Sequence, residues 1–404
     1  MPLAIKTHQS TLYFHDDKVE KHYHQNKINR LSSVKHESEI IEQFNGNAVK
    51  IHDIKENSYT MERLDLALGN TVALDPEAVR RVLFTLTLFE IERQLDKLLS
   101  DLESSGIRHN DINPGNILYS EQDRTLKLAD FYWASKDRIK PRCYPSGLNS
   151  VYGMDDKAAI ELIKNQIREV ADCVREECAD LHNYFKLNIG NVNRDGYFDG
   201  SSLTTGKAYH IVDHPYFKPR IPHHKTACEQ EYKVIKESLP CRPKRMLEVG
   251  CANGYFAFNF MRDFRLNRYL AFEADPHANH FIRQMKRTFS LIEFELKGAF
   301  DDSPEAIDID HDIALCLNVH MWVYKQLGAG RTLNAMRNLI NRCKWLYFQT
   351  TAADGSSMYV VKELKDDKDI AEMLKQAGAK SVDKLQTTVA HHGKRHLFLV
   401  GGNA

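Results

Sequence analysis

Apolar and polar positions alternate along the first two dozen residues, as in Thr11-Leu12-Tyr13-Phe14-His15 and Lys18-Val19-Glu20-Lys21-His22-Tyr23. A period of two predicts three short antiparallel strands, with a turn at Asp16 and Asp17. The period then lengthens. Ile40, Ile41 and Phe44 share one face of a helix predicted over 27–45. Two further strands are predicted at 48–52 and 58–64. From 76 to 104 the chain reads as helix, with Val82, Leu83, Leu86, Leu88, Ile91, Leu95, Leu98 and Leu99 as its apolar stripe. A second amphipathic stretch covers 158–170, and the turn-rich run 188–206 reads as a boundary. Beyond it, apolar runs at 246–249, 268–275, 294–300, 312–320 and 345–350 alternate with helical stretches. That alternation is the mark of a doubly wound parallel sheet. A closing pair, 381–389 and 396–400, reads as an antiparallel hairpin.

Composition narrows the possibilities. A chain of 404 residues, 42% of them apolar, has enough material for more than one core. Lys plus Arg and Asp plus Glu balance at 55 each, so no global field draws nucleic acid. No apolar run is long enough to predict a membrane span. The polar, charged opening of the chain does not read as a signal peptide. Eight scattered cysteines without a C-x-x-C pair argue for reduced, cytoplasmic thiols and against zinc.

Two stretches carry chemistry. Met246 to Phe256 reads as a buried strand, a tight turn and the start of a helix, with Gly250, Asn253 and Gly254 in the turn. Gly250 suits a strained backbone, and Gly254 lets a ligand come close. The dinucleotide fingerprint is excluded, because Ala252 and Tyr255 stand where it needs glycine. Glu273 stands at the end of the strand that follows Gly250, where a carboxylate accepts ribose hydroxyls. Asp275 is its alternative.

The second stretch is His109-x-Asp111-x-x-x-x-Asn116, followed after a short turn and strand by Asp130-Phe131-Tyr132. Phosphoryl transfer needs an Asp to orient the acceptor hydroxyl, and an Asn and a second Asp to hold magnesium. The spacing resembles that of the catalytic loop and metal-binding motif of protein-kinase-like enzymes, which implies the first role for Asp111 and the second for Asn116 and Asp130. Any one Asp at a turn is an ordinary capping residue; it is the joint spacing that counts.

Both stretches resemble known families. Glu248-x-Gly250-x-x-x-Gly254 resembles motif I of the Rossmann-like S-adenosylmethionine (SAM) methyltransferases. That resemblance implies cofactor contacts at Glu248, Gly250, Asn253, Gly254 and Glu273. It leaves Asp301 and Asp302 open as neighbours of adenine. It places Asn318, His320 and Trp322 at the reacting end of the fourth strand, with His320 as the catalytic candidate. His109 to Tyr132 resembles the catalytic loop and metal-binding motif of protein-kinase-like enzymes. That resemblance implies Lys21 on the α- and β-phosphates of ATP, with Glu37 as its helix partner and Lys18 and Glu39 as alternatives. It implies Met61 to Leu64, with Glu62, as a hinge over adenine, and Asp155 or Asp156 as a brace for the catalytic loop. Two features depart from the pattern. His8-Gln9-Ser10 stands where a glycine-rich loop belongs, and Tyr132 replaces the usual Gly.

Together the halves resemble the bifunctional kinase–methyltransferases that terminate bacterial O-antigen polysaccharides. Pro145 to Gly153 and the run from Tyr209 to Phe217 add to that likeness, although the kinase-like half comes first here. No heptad tract is visible. The expected organisation is an α+β kinase-like bilobal domain at 1–185, a linker and substrate lead-in at 186–240, and an α/β Rossmann-like class I methyltransferase at 241–404. The resemblance implies phosphorylation of a terminal sugar hydroxyl with ATP and Mg2+, then methylation of that phosphate with SAM. The substrate would be a glycan or lipid-linked glycan, met at the inner face of the membrane through a polymerase partner. The basic, aromatic loop 209–225 supplies His210, Arg220 and Lys225 as candidate phosphate ligands. The alternatives are a methyltransferase on another acceptor beside a pseudokinase, or beside an independent small-molecule or protein kinase.

Overall fold

The computed structural model describes residues 3–6, 10–15, 17–24, 34–44, 46–64, 66–136, 152, 155–188, 214–216, 225–352, 361–390 and 393–403. Asp16, 145–151, Gly153 and, from the 209–225 loop, residues 209–213 and 217–224 with His210 and Arg220 lie outside them, as does the Lys225 side chain; of the three residues at the expected glycine-loop position, only Ser10 is described. The chain divides into two compact units, Met1–Glu176 and Glu177–Ala404.

The first unit opens with β1 (Leu3–Lys6), β2 (Ser10–Phe14) and β3 (Lys18–Tyr23), the antiparallel trio the alternation predicts. Then come α1 (Val34–Gln43), β4 (Ile51–His52) and β5 (Ser58–Glu62). They complete a five-stranded sheet ordered β1-β2-β3-β5-β4. Along β3, Val19, Lys21 and Tyr23 are buried while Lys18 is exposed, so a lysine takes an inward position of the alternation. On α1, Glu37 is buried with Val34 and Ile40 for the helical version of the same reason.

After β6 (Leu66–Ala67), the long predicted helix is two: α2 (Pro76–Leu83) and α3 (Leu88–Ser104). Thr87 makes the break. Its side chain accepts from the Glu90 N–H while the Glu90 carboxylate accepts from the Thr87 N–H, a reciprocal cap that starts a new helix. Then follow β7 (Ile107–Arg108), β8 (Ile117–Ser120), β9 (Thr125–Leu128), β10 (Ser135–Lys136) and α4 (Asp156–Asn188), whose residues from Glu177 onward belong to the second unit. β9 ends just before Asp130, whose left-handed backbone (φ 59°) leads into a 3-10 turn at Phe131–Trp133.

The second unit contains α5 (Lys225–Glu237), β11 (Arg245–Val249), α6 (Tyr255–Asp263), β12 (Arg268–Phe272), α7 (Pro276–Thr288), β13 (Phe294–Lys297), β14 (His311–Leu317), α8 (His320–Leu327), α9 (Ala329–Asn341), β15 (Cys343–Thr351), α10 (Asp367–Gln376), β16 (Ser381–Ala390) and β17 (Gly393–Gly401). Its sheet runs β13-β12-β11-β14-β15-β17-β16. The first five strands are parallel; β17 and β16 are antiparallel. Leu247, Val249, Ala314, Cys316, Leu346 and Phe348, alternate positions on three strands, form one buried face with α9 and α10. Tyr269 and Phe294 stack on the other, where Phe258 of α6 covers them. A sheet covered on both faces explains why its strands read as apolar runs. β14 is shorter than predicted. Asn318 turns left-handed (φ 57°) and ends it, so His320 opens a helix instead of finishing a strand.

Candidate functional sites

In the first unit three charged residues distant in sequence converge. Lys21 Nζ lies 3.3 Å from Glu37 Oε2 and 2.7 Å from Asp130 Oδ1. The alternatives fall elsewhere. Glu39 pairs with Lys35 along α1, and Lys18 points outward. Burial works against the Lys21 charge, but Asp130 and Glu37 outweigh it and hold the pKa well above the usual lysine value. Burial likewise opposes the Asp130 charge. Lys21 and an N–H from Tyr132 override it, and the pKa stays low. The Asp130 side chain is 42% exposed, so one edge of this cluster faces solvent.

The loop after β7 is braced from several sides. Asp156 accepts the backbone N–H groups of His109 (2.7 Å) and Asn110 (2.9 Å). Asp155 caps α4 through Lys157 and Ala158, so geometry separates two acids that the sequence left equivalent. Asn110, left-handed at φ 63°, donates to Trp133 O and Ser135 Oγ. His109 is fully buried; its Nε2 meets Ala129 O at 3.0 Å and its ring lies 4.7 Å from Phe131. Asp111 accepts from Asn113 and Asn116, each at 3.2 Å. Burial, against the pull of His109 and helped by the like charge of Asp130, raises its pKa to about 6. A carboxyl there is suited to taking a proton near neutral pH. Asn116 spends its amide nitrogen on Asp111, so its oxygen is the atom that can meet a cation. Glu62 sits at the end of β5, with its carboxylate held by Lys127 at 2.8 and 3.0 Å.

In the second unit the turn after β11 is tied to β12. The N–H groups of Gly250 and Cys251 donate to Phe272 O. Gly250 (φ 72°) has no room for a side chain, since a Cβ there would lie 2.4 Å from Val319. The segment between β14 and α8 therefore packs directly on this turn. Glu273 spans its mouth, accepting from the Ala252 N–H and the Asp275 N–H, both at 2.7 Å. Asp275, the alternative, caps α7 by accepting from the His277 and Ala278 N–H groups. Asp302 is engaged bidentately by Arg331, while Asp301 accepts from the Ser303 N–H.

Two of the expected site residues are buried. Glu248 is 3% exposed, accepts from Tyr269 Oη at 2.8 Å and has its pKa pushed to about 8 by burial. Its carboxyl is held on Tyr269 of the neighbouring strand, closed off from solvent. His320 is 2% exposed, with its ring edge-on to Phe348 at 5.4 Å and its pKa lowered to about 4 by burial. Burial thus disfavours its charged form, and its Nδ1 is buried with no hydrogen-bond partner among the described residues. Trp322 of the same helix is exposed and meets Lys325 at 4.8 Å.

Residues the sequence reading passed over join both sites. Tyr23 donates to Glu37 Oε2. Asn318 donates through Nδ2 to Gln349 Oε1, and Gln349 in turn bonds the buried Glu231 of α5. Burial raises the Glu231 pKa against that bond and the charge of Arg395. The available signal was periodic: Glu231 lies on the α5 face that buries Cys228 and Ile235, as Tyr23 lies on the buried face of β3.

Among the described residues no cluster of His, Cys, Asp and Glu could by itself hold a metal ion, and no helix is long and apolar enough to cross a membrane. Neither a protein-family profile nor a curated protein matches the chain. Similar solved structures include EvdMO1 (15% identity, TM-score 0.34, 43% of this chain and 40% of that one). They also include the bifunctional kinase-methyltransferase WbdD (16%, 0.37, 44% and 40%). A third is the N-terminal domain of EvdMO1 with SAH bound (14%, 0.38, 55% and 95%). The chain thus covers 40% of the length of the first two.

Proposed function

We propose that the chain is a bifunctional transferase, with a kinase-like first unit and a SAM-dependent methyltransferase second unit. The observation that carries the first half is the convergence of Lys21, Glu37 and Asp130 beside the braced Asp111–Asn116 loop. Lys21, held by Glu37, steadies the phosphates of ATP. Asp111, with its pKa at about 6, takes the proton of the acceptor hydroxyl. Asp130 and Asn116 offer the hard oxygen donors that Mg2+ takes alongside phosphate and water, which fits a cation completed by the nucleotide. That ion supplies charge neutralisation on the phosphates.

In the second unit Glu273 offers its carboxylate to the ribose hydroxyls of SAM, and the Gly250–Gly254 turn gives close backbone approach. The acceptor we favour is the phosphate installed on a terminal sugar hydroxyl of a surface glycan. A phosphate oxygen bonds to the methyl carbon as the carbon–sulfur bond breaks, and a neutral thioether leaves. An ionised phosphate needs no base, in keeping with a His320 withdrawn into the core. His210, Arg220 and Lys225 are the proposed phosphate ligands, and a membrane-bound polymerase the proposed partner.

A second reading has two observations behind it. Lys21 already contacts one carboxylate oxygen of Asp130, and Tyr132 replaces glycine, as in a nucleotide-binding module without turnover. The deciding experiment supplies labelled ATP and SAM, together and separately, to a glycan panel, with phosphorus NMR of the products. A methyl phosphodiester formed only when both are present supports the sequential reading. A methyl ether formed without ATP overturns it.

A further inference from the structure

The Lys21–Glu37 pair rests on two aromatic residues that the phosphoryl-transfer chemistry does not itself call for. Period-two alternation puts Tyr23 on the same buried face of β3 as Lys21. Its hydroxyl donates to Glu37 Oε2, the oxygen that Lys21 Nζ also approaches. Its ring lies 5.0 Å from that same nitrogen. Tyr132 then stacks on Tyr23, centroid to centroid 5.7 Å and 18° from parallel. Tyr132 also gives its backbone N–H to Asp130. One short turn therefore carries the acid that pairs with Lys21 and the ring that fixes Tyr23.

We infer that Tyr23 is a positioning residue for the phosphate-binding lysine, and that Tyr132 stands in place of glycine to support it. The inference rests on the nucleotide reading of the first unit. Its physical basis is the isolation of Glu37, which is 1% exposed and has only Lys21 and Tyr23 as donors among the described residues. A buried carboxylate is costly unless its lone pairs are satisfied. Lys21 must divide its donors between Glu37 and Asp130, and phosphates would draw it further away. With the Tyr23 hydroxyl in place, Glu37 keeps a donor while Lys21 turns to the phosphates. Without it, Glu37 has Lys21 alone and pulls the ammonium back. Burial and the Glu37 charge both keep the Tyr23 phenol protonated, so it remains a donor.

Calorimetry on the full chain, with Mg·ATP and adenosine as probes, tests this. Tyr23→Phe keeps the ring and removes only the donor. Its Kd for Mg·ATP should rise roughly ten-fold, the scale of one hydrogen bond to a charged group, while adenosine, which has no phosphate, binds as to wild type. Tyr132→Gly should shift Mg·ATP the same way, and Tyr132→Phe should not. These two variants keep the inference testable if Tyr23→Phe fails to fold. Unchanged Mg·ATP binding in Tyr23→Phe, or equal weakening of both probes, overturns the inference. A wild-type protein that binds no Mg·ATP overturns the nucleotide reading itself, and the inference with it.

Discussion

Replacing Asp111 by Asn should stabilise the protein above neutral pH while abolishing phosphoryl transfer. Folding moves the Asp111 pKa from the ordinary 3.8 to about 6, chiefly by burial. A carboxyl whose folded pKa is raised binds its proton more tightly when folded. Below the unfolded pKa both states are protonated and nothing is lost. Between about 3.8 and 6 the unfolded chain ionises first, and stability falls as pH rises. Above about 6 the full penalty is present, on the order of 3 kcal/mol at 1.36 kcal/mol per pKa unit. Asn removes that penalty but gives up one of the two bonds from Asn113 and Asn116, since one oxygen becomes a donor. That offsets about 1 kcal/mol. The net gain at pH 8 is then about 2 kcal/mol, or roughly 4–8 °C in the transition of a unit this size. Scanning calorimetry at pH 8 and pH 3.5 reads it. At the lower pH the gain should vanish and Asp111→Asn should be slightly less stable than wild type. A variant that is neutral or destabilised at pH 8 would refute the claim that burial penalises this carboxylate.

Other outcomes follow from the second unit. Glu273→Ala should weaken SAM by about 1–3 kcal/mol in a calorimetric titration, through loss of charge-assisted bonds, with Mg·ATP binding unmoved. Unchanged SAM affinity would remove Glu273 from the site. Gly250→Ala brings a Cβ to 2.4 Å from Val319 and keeps a left-handed backbone (φ 72°). It should cost about 1–3 kcal/mol in denaturant unfolding. Adding Val319→Ala should recover the steric share but not the backbone share, and strict additivity of the two changes would disprove the contact.

Much of this protein was legible in one dimension because its signals are local. Alternation marked β1 to β3, apolar runs marked the parallel strands, and fixed spacings joined His109, Asp111, Asn116 and Asp130. These follow from backbone geometry, which repeats at the strand or the helix period wherever the chain lies. Thr87 and Glu90, whose cap divides the long helix, are an equally local signal. What the linear chain leaves open is which of several chemically equal neighbours meets a distant partner. Lys21 was favoured over Lys18, and Glu37 over Glu39, by likeness to a family; the structure places those two on buried faces that meet, and turns the others outward. Asp155 and Asp156 are adjacent acids, yet one caps a helix and the other holds two N–H groups of a loop far back in the sequence. Glu248 and His320 have the right type and spacing for ligand contact, yet both are buried, Glu248 against Tyr269 and His320 against Phe348. Tyr23, Gln349 and Glu231 carry no motif at all. Their roles arise because a buried polar group must find its partner across the fold, and only the packed chain decides which partner that is.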